Sequence, residues 1–252
     1  VTGTMMKNYK LILAYEGTSF KGWQRQSVAR SVQGTIEEAL AKISGRKIAV
    51  HGAGRTDAGV HALAQVASFR ASIKLDEKTL MRAMNAVLPA DVRIESAEEA
   101  PPEFHARKSA ISKIYEYRII NRPVISPFDR RYALHWPYRL KLKEMKRADG
   151  LFVRRADFTA FSSNRDRSPV RTVVRSEIRA HGGLIIYTIE ADGFLRYMVR
   201  AIVGTLLEIG RGKIPAEDLE KIFASKDRSL AGPTVPPQGL FLSEVRYRAV
   251  IS

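Results

Sequence analysis

Along residues 9–97 the apolar residues change period repeatedly, and the order of those periods is the tightest constraint on the fold. Residues 9–15 (YKLILAY) are an apolar run of strand length. Ser31 then stands as an N-cap, with Ile36, Ala39, Leu40 and Ile43 on one helical face and Gly45 as the stop. Residues 47–52 predict a strand, a glycine-rich loop follows, and residues 62–69 return as another strand. Asp76 opens a second helix in which Leu80, Ala83, Met84, Val87 and Leu88 recur at helical spacing, until Pro89 stops it. Residues 92–97 complete a β-α-β-β-α-β order, the split βαβ arrangement.

Paired prolines in the stretch 100–108 mark a junction, giving an N-terminal α+β domain over 5–105 and a C-terminal one over 106–252. The second half opens with a strand at 110–120, and after an irregular stretch a helix is expected over 142–153. Over residues 170–181, Val170, Thr172, Val174 and Ile178 alternate with Arg171, Arg175 and Arg179, which predicts a strand with one apolar face. Residues 184–191 are its hairpin partner across Gly182 and Gly183. Helices over 194–209 and 216–224 and a closing strand over 239–247 complete an α+β chain.

Charge narrows the partners. Lys and Arg number 42 against 26 acids, a net +16 in 252 residues. Solubility needs only about 2–8 charges in a small domain, so the surplus points to a polyanion. No apolar stretch reaches a membrane span, since the longest, residues 194–209, is broken by Arg196, Arg200 and Glu208. The start lacks a signal-peptide pattern and cysteine is absent, so the expectation is a cytoplasmic protein without disulfides or thiolate metal sites.

The chemistry concentrates in residues 51–69, HGAGRTDAGVHALAQVASF. Gly52, Gly54 and Gly59 allow a tight turn around Asp57 and Arg55, and Leu63, Val66 and Phe69 predict a buried strand supporting it. A carboxylate beside a guanidinium stays ionised, which suits a nucleophile or a charge stabiliser. A structural Asp in an ordinary turn is the other reading of that tripeptide. Tyr115 and Tyr117 lie two apart on a strand and share a face, one expected in the core and one free to stack on a base. Arg196 and Arg200 lie one turn apart on an apolar helix, so one of them is expected to face a carboxylate or phosphate, a solvated stripe being the other reading of such a pair. His51 and His61 flank the loop without the ligand spacing of a metal site. No phosphate-binding or dinucleotide fingerprint is present. Arg154, Arg155, Arg165, Arg167, Arg171 and Arg175 interleave with Phe158 and Phe161, the mixture of cations and rings that a nucleic-acid surface uses.

Taken in order, YEGTSFKGWQRQ, SVQGTIEEAL, GAGRTDAGVHA, FHARKSAISKIYEYRI, DGFLRYMVRAIVG and GLFLSEVRY resemble the TruA-type tRNA pseudouridine synthases across about residues 9–248. The resemblance implies two ferredoxin-like (RRM-like) halves with joined antiparallel sheets and a central basic cleft. It makes Asp57 the catalytic nucleophile and Arg200 its ion-pair partner. Arg55 becomes the side chain that fills the space left by a flipped base, Tyr115 the ring that stacks on the target uracil, and Leu240 a packing residue against the same base. It further implies a homodimer acting on tRNA, at uridines on the 3′ side of the anticodon arm, with no cofactor, metal or membrane. The rival expectation is a non-catalytic RNA-binding protein of the same fold.

Overall fold

The computed structural model describes residues 5–163 and 168–248. They form two compact units: unit 1 takes the described residues up to Ile111 and from Leu242, and unit 2 is Ser112–Phe241.

Unit 1 begins with β1 (Lys7–Tyr15), α1 (Val32–Ser44), β2 (His51–Gly52), β3 (His61–Ala71), α2 (Glu77–Val87) and β4 (Val92–Ala100). The strands lie in the order β4-β1-β3, with β2 also on β3, and all these pairings are antiparallel. This is the β-α-β-β-α-β order expected from the hydrophobic periods. On β1 the period of two is plain, since Tyr9, Leu11, Leu13 and Tyr15 are buried while the residues between them are not fully so. Ser31 caps α1 by accepting from the Gly34 N–H, and Asp76 caps α2 by accepting from that of Thr79.

Two details differ from the sequence expectation. Residues 47–50 are not in the sheet, because α1 side chains take the backbone groups of Val50: its N–H donates to Glu37 Oε1 at 3.1 Å and its carbonyl accepts from Gln33 Nε2 at 3.1 Å. Leu63 is 40 % exposed instead of buried. Leu13 pairs with Gln65 but Tyr15 with Ala62, so β3 carries one extra residue at that point, and the bulge turns Leu63 outward.

Unit 2 contains β5 (Ala110–Ile120), β6 (Leu134–His135), α3 (Leu142–Asp149), β7 (Arg155–Asp157), β8 (Val170–His181), β9 (Leu184–Ala191), α4 (Met198–Gly210) and α5 (Leu219–Ser225). The first two residues of β5 still belong to unit 1. Strand order is β5-β9-β8-β7, antiparallel throughout, with β6 parallel to β5. Strand β8 does not keep one apolar face. Val173 pairs with Ala191 and Arg175 with Glu190, so Val174 is an extra, bulged residue and is 56 % exposed. Burial falls on Val173 before the bulge and on Ser176 and Ile178 after it. Helix α4 starts at Met198, four residues later than expected, because Tyr197 has φ +63° and cannot continue a right-handed helix.

Phe158 and Phe161 are fully buried, correcting the expectation that they interleave with arginines on a nucleic-acid surface. Their rings pack with Phe152 and Phe223 at centroid distances of 5.0–6.1 Å. Arg154 lies over Phe223 and pairs with Glu220, and Arg175 pairs with Glu177. Arg165 and Arg167 lie outside the described residues. The last strand, β10 (Leu240–Tyr247), passes from unit 2 to unit 1, where it lies beside β3. Its Tyr247 hydroxyl donates to the Ala106 carbonyl at 2.7 Å and its ring stands 5.1 Å from Phe104. Residues 106–111 and the described chain from Leu242 group with unit 1.

Asp149 ends α3 with a side chain 8 % exposed, accepting the Ile178 N–H at 2.6 Å. Burial pushes its carboxyl up to about 6, against the lowering effect of that hydrogen bond. An unfolded chain titrates it near ~3.9. The folded state therefore holds the extra proton, and its stabilising share is complete below ~4 and lost as pH rises through about 6. Denaturant titrations of the protein and of Asp149→Asn should show the protein losing, relative to the variant, on the order of 2 kcal/mol between roughly pH 4 and pH 7. A pH-independent difference would contradict this assignment.

Candidate active site

The loop between β2 and β3 is small, polar and held from several sides. Ala53 N–H donates to the Val66 carbonyl at 2.7 Å, and Gln65 Nε2 donates to the Gly54 carbonyl at 3.0 Å. Thr56 Oγ1 shares a 2.8 Å hydrogen bond with the Tyr15 hydroxyl, and Gln65 Nε2 reaches that hydroxyl at 3.5 Å. The Val60 N–H closes the turn onto the Asp57 carbonyl at 3.2 Å. Gln65 is fully buried, and its Oε1 also accepts from the Val66 N–H at 3.2 Å. Burial pushes the Tyr15 phenol up to about 12 against the hydrogen bonds from Thr56 and Gln65, so it acts as a neutral hydroxyl. Arg55 therefore sits between two residues that are both tied down. Its own side chain is exposed and, among the described residues, makes no hydrogen bond or ion pair. Asp57 is half-buried.

A second segment, residues 16–31, braces the loop from the other side. Trp23 N–H donates to the Thr56 carbonyl at 3.0 Å and Gly59 N–H to the Phe20 carbonyl at 3.2 Å. Gly22 has φ +95°, and a Cβ there would lie 2.6 Å from the Thr56 carbonyl oxygen, so only glycine fits this approach. The brace is itself fixed. Arg30 makes a bidentate pair with Asp91 at 2.7 and 2.8 Å, with its guanidinium 4.1 Å from the centre of the Phe20 ring. His61 Nδ1 accepts from the Gly17 N–H at 2.9 Å, which makes this buried histidine part of the brace. His51 stacks on His105 at 5.0 Å. Among the described residues no group of three or more His, Asp or Glu side chains is placed to hold a metal ion.

Unit 2 positions the remaining candidates. Tyr115 on β5 is 6 % exposed and meets the Phe194 ring edge-on at 5.0 Å. Tyr117 is the core member of the pair, fully buried, with its hydroxyl donating to the Pro236 carbonyl at 2.6 Å. Burial pushes that phenol upward, opposed by the charge of Arg200. Arg200 lies in the first turn of α4. Its Nε donates to the Val235 carbonyl at 2.7 Å, and the Tyr197 ring centre lies 4.8 Å from its guanidinium. Leu240, nearly buried, begins β10. The segment that carries Val235 and Pro236 is seated directly on α4. A Cβ on Gly204 would fall 1.7 Å from the Pro233 carbonyl oxygen, and Thr205 Oγ1 accepts the Gly232 N–H at 2.9 Å. The structure thus places Asp57 and Arg55 on one loop of unit 1, and Tyr115, Arg200 and Leu240 on three elements of unit 2.

Sequence reasoning missed Tyr15, Gln65, Trp23 and Tyr197, all of which shape these surroundings. Gln65 offered a signal, being a polar residue inside an apolar strand run. Tyr15 offered none, since its partner Thr56 is 41 residues away.

Comparison with known proteins gives a consistent result. A family model described as tRNA pseudouridine synthase matches residues 11–107 and 151–248. A protein named tRNA pseudouridine synthase A from Methylacidiphilum infernorum is 46 % identical over 242 residues, covering 95 % of each chain. Proteins of the same name from Thermodesulfovibrio yellowstonii and Streptococcus sanguinis are each 42 % identical, cover 96 % of this chain, and are themselves covered to 100 % and 99 %.

Replacing Gln65 by Leu removes the donor to Gly54 without changing the strand pattern. The half-buried carbonyl left unpartnered should cost about 1–2 kcal/mol, read as a fall in thermal midpoint of roughly 2–4 °C per kcal/mol. Hydrogen exchange at the Gly59 and Val60 amides should speed up more than exchange at the Leu80 amide in α2. Unchanged exchange in the loop would show that the glutamine does not hold it.

Proposed function

The chain belongs to the tRNA pseudouridine synthase family, whose members isomerise uridine to pseudouridine in tRNA, and we propose that it does so through Asp57. The observation that carries this is the doubly braced loop, which presents a half-buried carboxylate beside an exposed arginine. The reaction needs no oxidant and no net gain or loss of atoms. The target nucleotide leaves its stack so that side chains can reach the sugar. The N1–C1′ bond breaks, the uracil turns over, and a C5–C1′ bond forms. The C5 proton is lost and N1 takes up a proton. Positive character builds at the sugar as the glycosidic bond opens, and an ionised carboxylate is the group that attacks or stabilises it.

In this reading Arg200 holds Asp57 ionised. Arg55 occupies the space vacated by the base, a role supported by its exposure between two anchored neighbours. Tyr115 stacks on the uracil and assists loss of the C5 proton, and Leu240 packs against the same base. The order β4-β1-β3-β2 with two helices supports a ferredoxin-like first half. The reading extends that build to the second half, with joined sheets and a basic cleft between. The substrate uridines are those on the 3′ side of the anticodon arm, and the enzyme is a cytoplasmic homodimer, both following the family resemblance.

Incubating tRNA labelled with tritium at uridine C5 tests the chemistry. Tritium should be released by the protein and not by Asp57→Ala, while tRNA binding survives the substitution. Release by the variant, or by neither protein, would leave the non-catalytic RNA-binding reading standing in its place. The net charge of +16 gives a second test. With six or more phosphate contacts, affinity for tRNA should fall by roughly 10³-fold or more between about 50 and 200 mM salt. A flat salt dependence would assign the charge to something other than RNA.

A further inference from the structure

Tyr197 breaks two local rules at once. It is one of two non-glycine residues with positive φ among the described residues, at φ +63° and ψ +6°. The other, Lys226, is an exposed residue ending a helix, where a left-handed turn is common. Tyr197 instead begins a helix, a position that favours an extended backbone and a Ser, Thr, Asp or Asn side chain. Its side chain makes no capping hydrogen bond. A bulky residue held left-handed is costly and persists only where its surroundings impose it.

The surroundings show what this conformation achieves. Leu195 and Met198 are buried on either side of the turn. The Arg196 carbonyl accepts from the Ser163 N–H at 3.3 Å. The Tyr197 ring is thereby placed against two guanidinium groups, with its centre 4.9 Å from that of Arg196 and 4.8 Å from that of Arg200. Arg196 also donates to the Tyr197 hydroxyl at 3.3 Å. On Arg200, the 2.7 Å hydrogen bond from Nε to the Val235 carbonyl holds one edge of the guanidinium, and the Tyr197 ring lies against its face.

We propose that Tyr197 is a positioning residue, its left-handed backbone holding the ring that sets the plane of the Arg200 guanidinium for the isomerisation. This rests on the role given to Arg200 above. The design separates backbone from ring. Tyr197→Gly accepts the left-handed turn and loses the ring, whereas Tyr197→Phe keeps the ring. The glycine variant should melt no lower than the protein and keep its KM for tRNA within about twofold, while kcat falls roughly tenfold or more, the scale on which a misplaced group slows a reaction. The phenylalanine variant should keep kcat within about twofold. Adding Tyr197→Gly to Arg200→Ala should cost nothing further, because both act through one group.

Wild-type kcat in Tyr197→Gly, while Arg200→Ala is impaired, overturns this inference alone. So does an equal loss in Tyr197→Phe, or additive losses in the double variant. Wild-type kcat in Arg200→Ala overturns the role of Arg200 and this inference with it. Should Tyr197→Gly not fold, Tyr197→Asn, which also tolerates the left-handed region, carries the same expectation.

Discussion

Two hydrogen bonds beneath one loop govern the candidate site: Tyr15 to Thr56 and Gln65 to Gly54. Both come from strands of the unit 1 sheet and both end on neighbours of Arg55. A loop of small residues has little surface of its own to bury, so apolar packing alone cannot fix it. Buried polar partners can, because each bond left unmade costs the desolvation of its group. The β3 bulge belongs to the same construction. By adding a residue between Ala62 and Gln65, it shifts the chain arriving from the loop out of phase with the stretch from Gln65 onward, which keeps its register with β1 while the Gln65 side chain reaches Gly54. A strand without it would put Leu63 on the same face as Gln65.

Unit 2 solves a similar problem through backbone proximity. The segment from Gly232 to Pro236 lies against α4 so closely that Gly204 has no room for a methyl group. That approach brings the Val235 carbonyl to Arg200 and the Pro236 carbonyl to Tyr117. One helix therefore supplies both a candidate functional cation and the support for the segment leading into Leu240. The price is local strain at Tyr197, where the chain turns into that helix.

Much of this was legible in the sequence wherever the signal is local. The limits of β5, β8 and β9, the caps at Ser31 and Asp76 and the stop at Gly45 follow from periodicity and capping chemistry. Asp57 and Arg55 stood out because glycines surround them. What escaped depends on distant partners. The bulges on β3 and β8 are set by pairing with another strand, and they moved Leu63 and Val174 outward. Val50 left the sheet because side chains of α1 satisfied its backbone. Phe158 and Phe161 sit among arginines in sequence, yet an aromatic cluster reaching to Phe223 draws them inward. The Tyr15 support was invisible for the same reason, and Gln65, though marked as a polar residue in an apolar run, gave no sign that Gly54 was its partner.

The arginines divide by how they are held, and the division bears on the net charge. Arg30, Arg154 and Arg175 have carboxylate partners, so their charge is spent on fixing structure. Arg93, Arg122 and Arg228 are oriented by backbone carbonyls. A carbonyl offers a dipole and no net charge, so it can aim a guanidinium while leaving its positive charge available to a phosphate or a carboxylate. A protein that must be both well ordered and strongly cationic cannot fix its arginines with acids alone, since each such pair subtracts from the field that attracts a polyanion. Carbonyls and ring faces remove that conflict. Both kinds of contact meet at Arg200, with the Val235 carbonyl on one edge and the Tyr197 ring on one face.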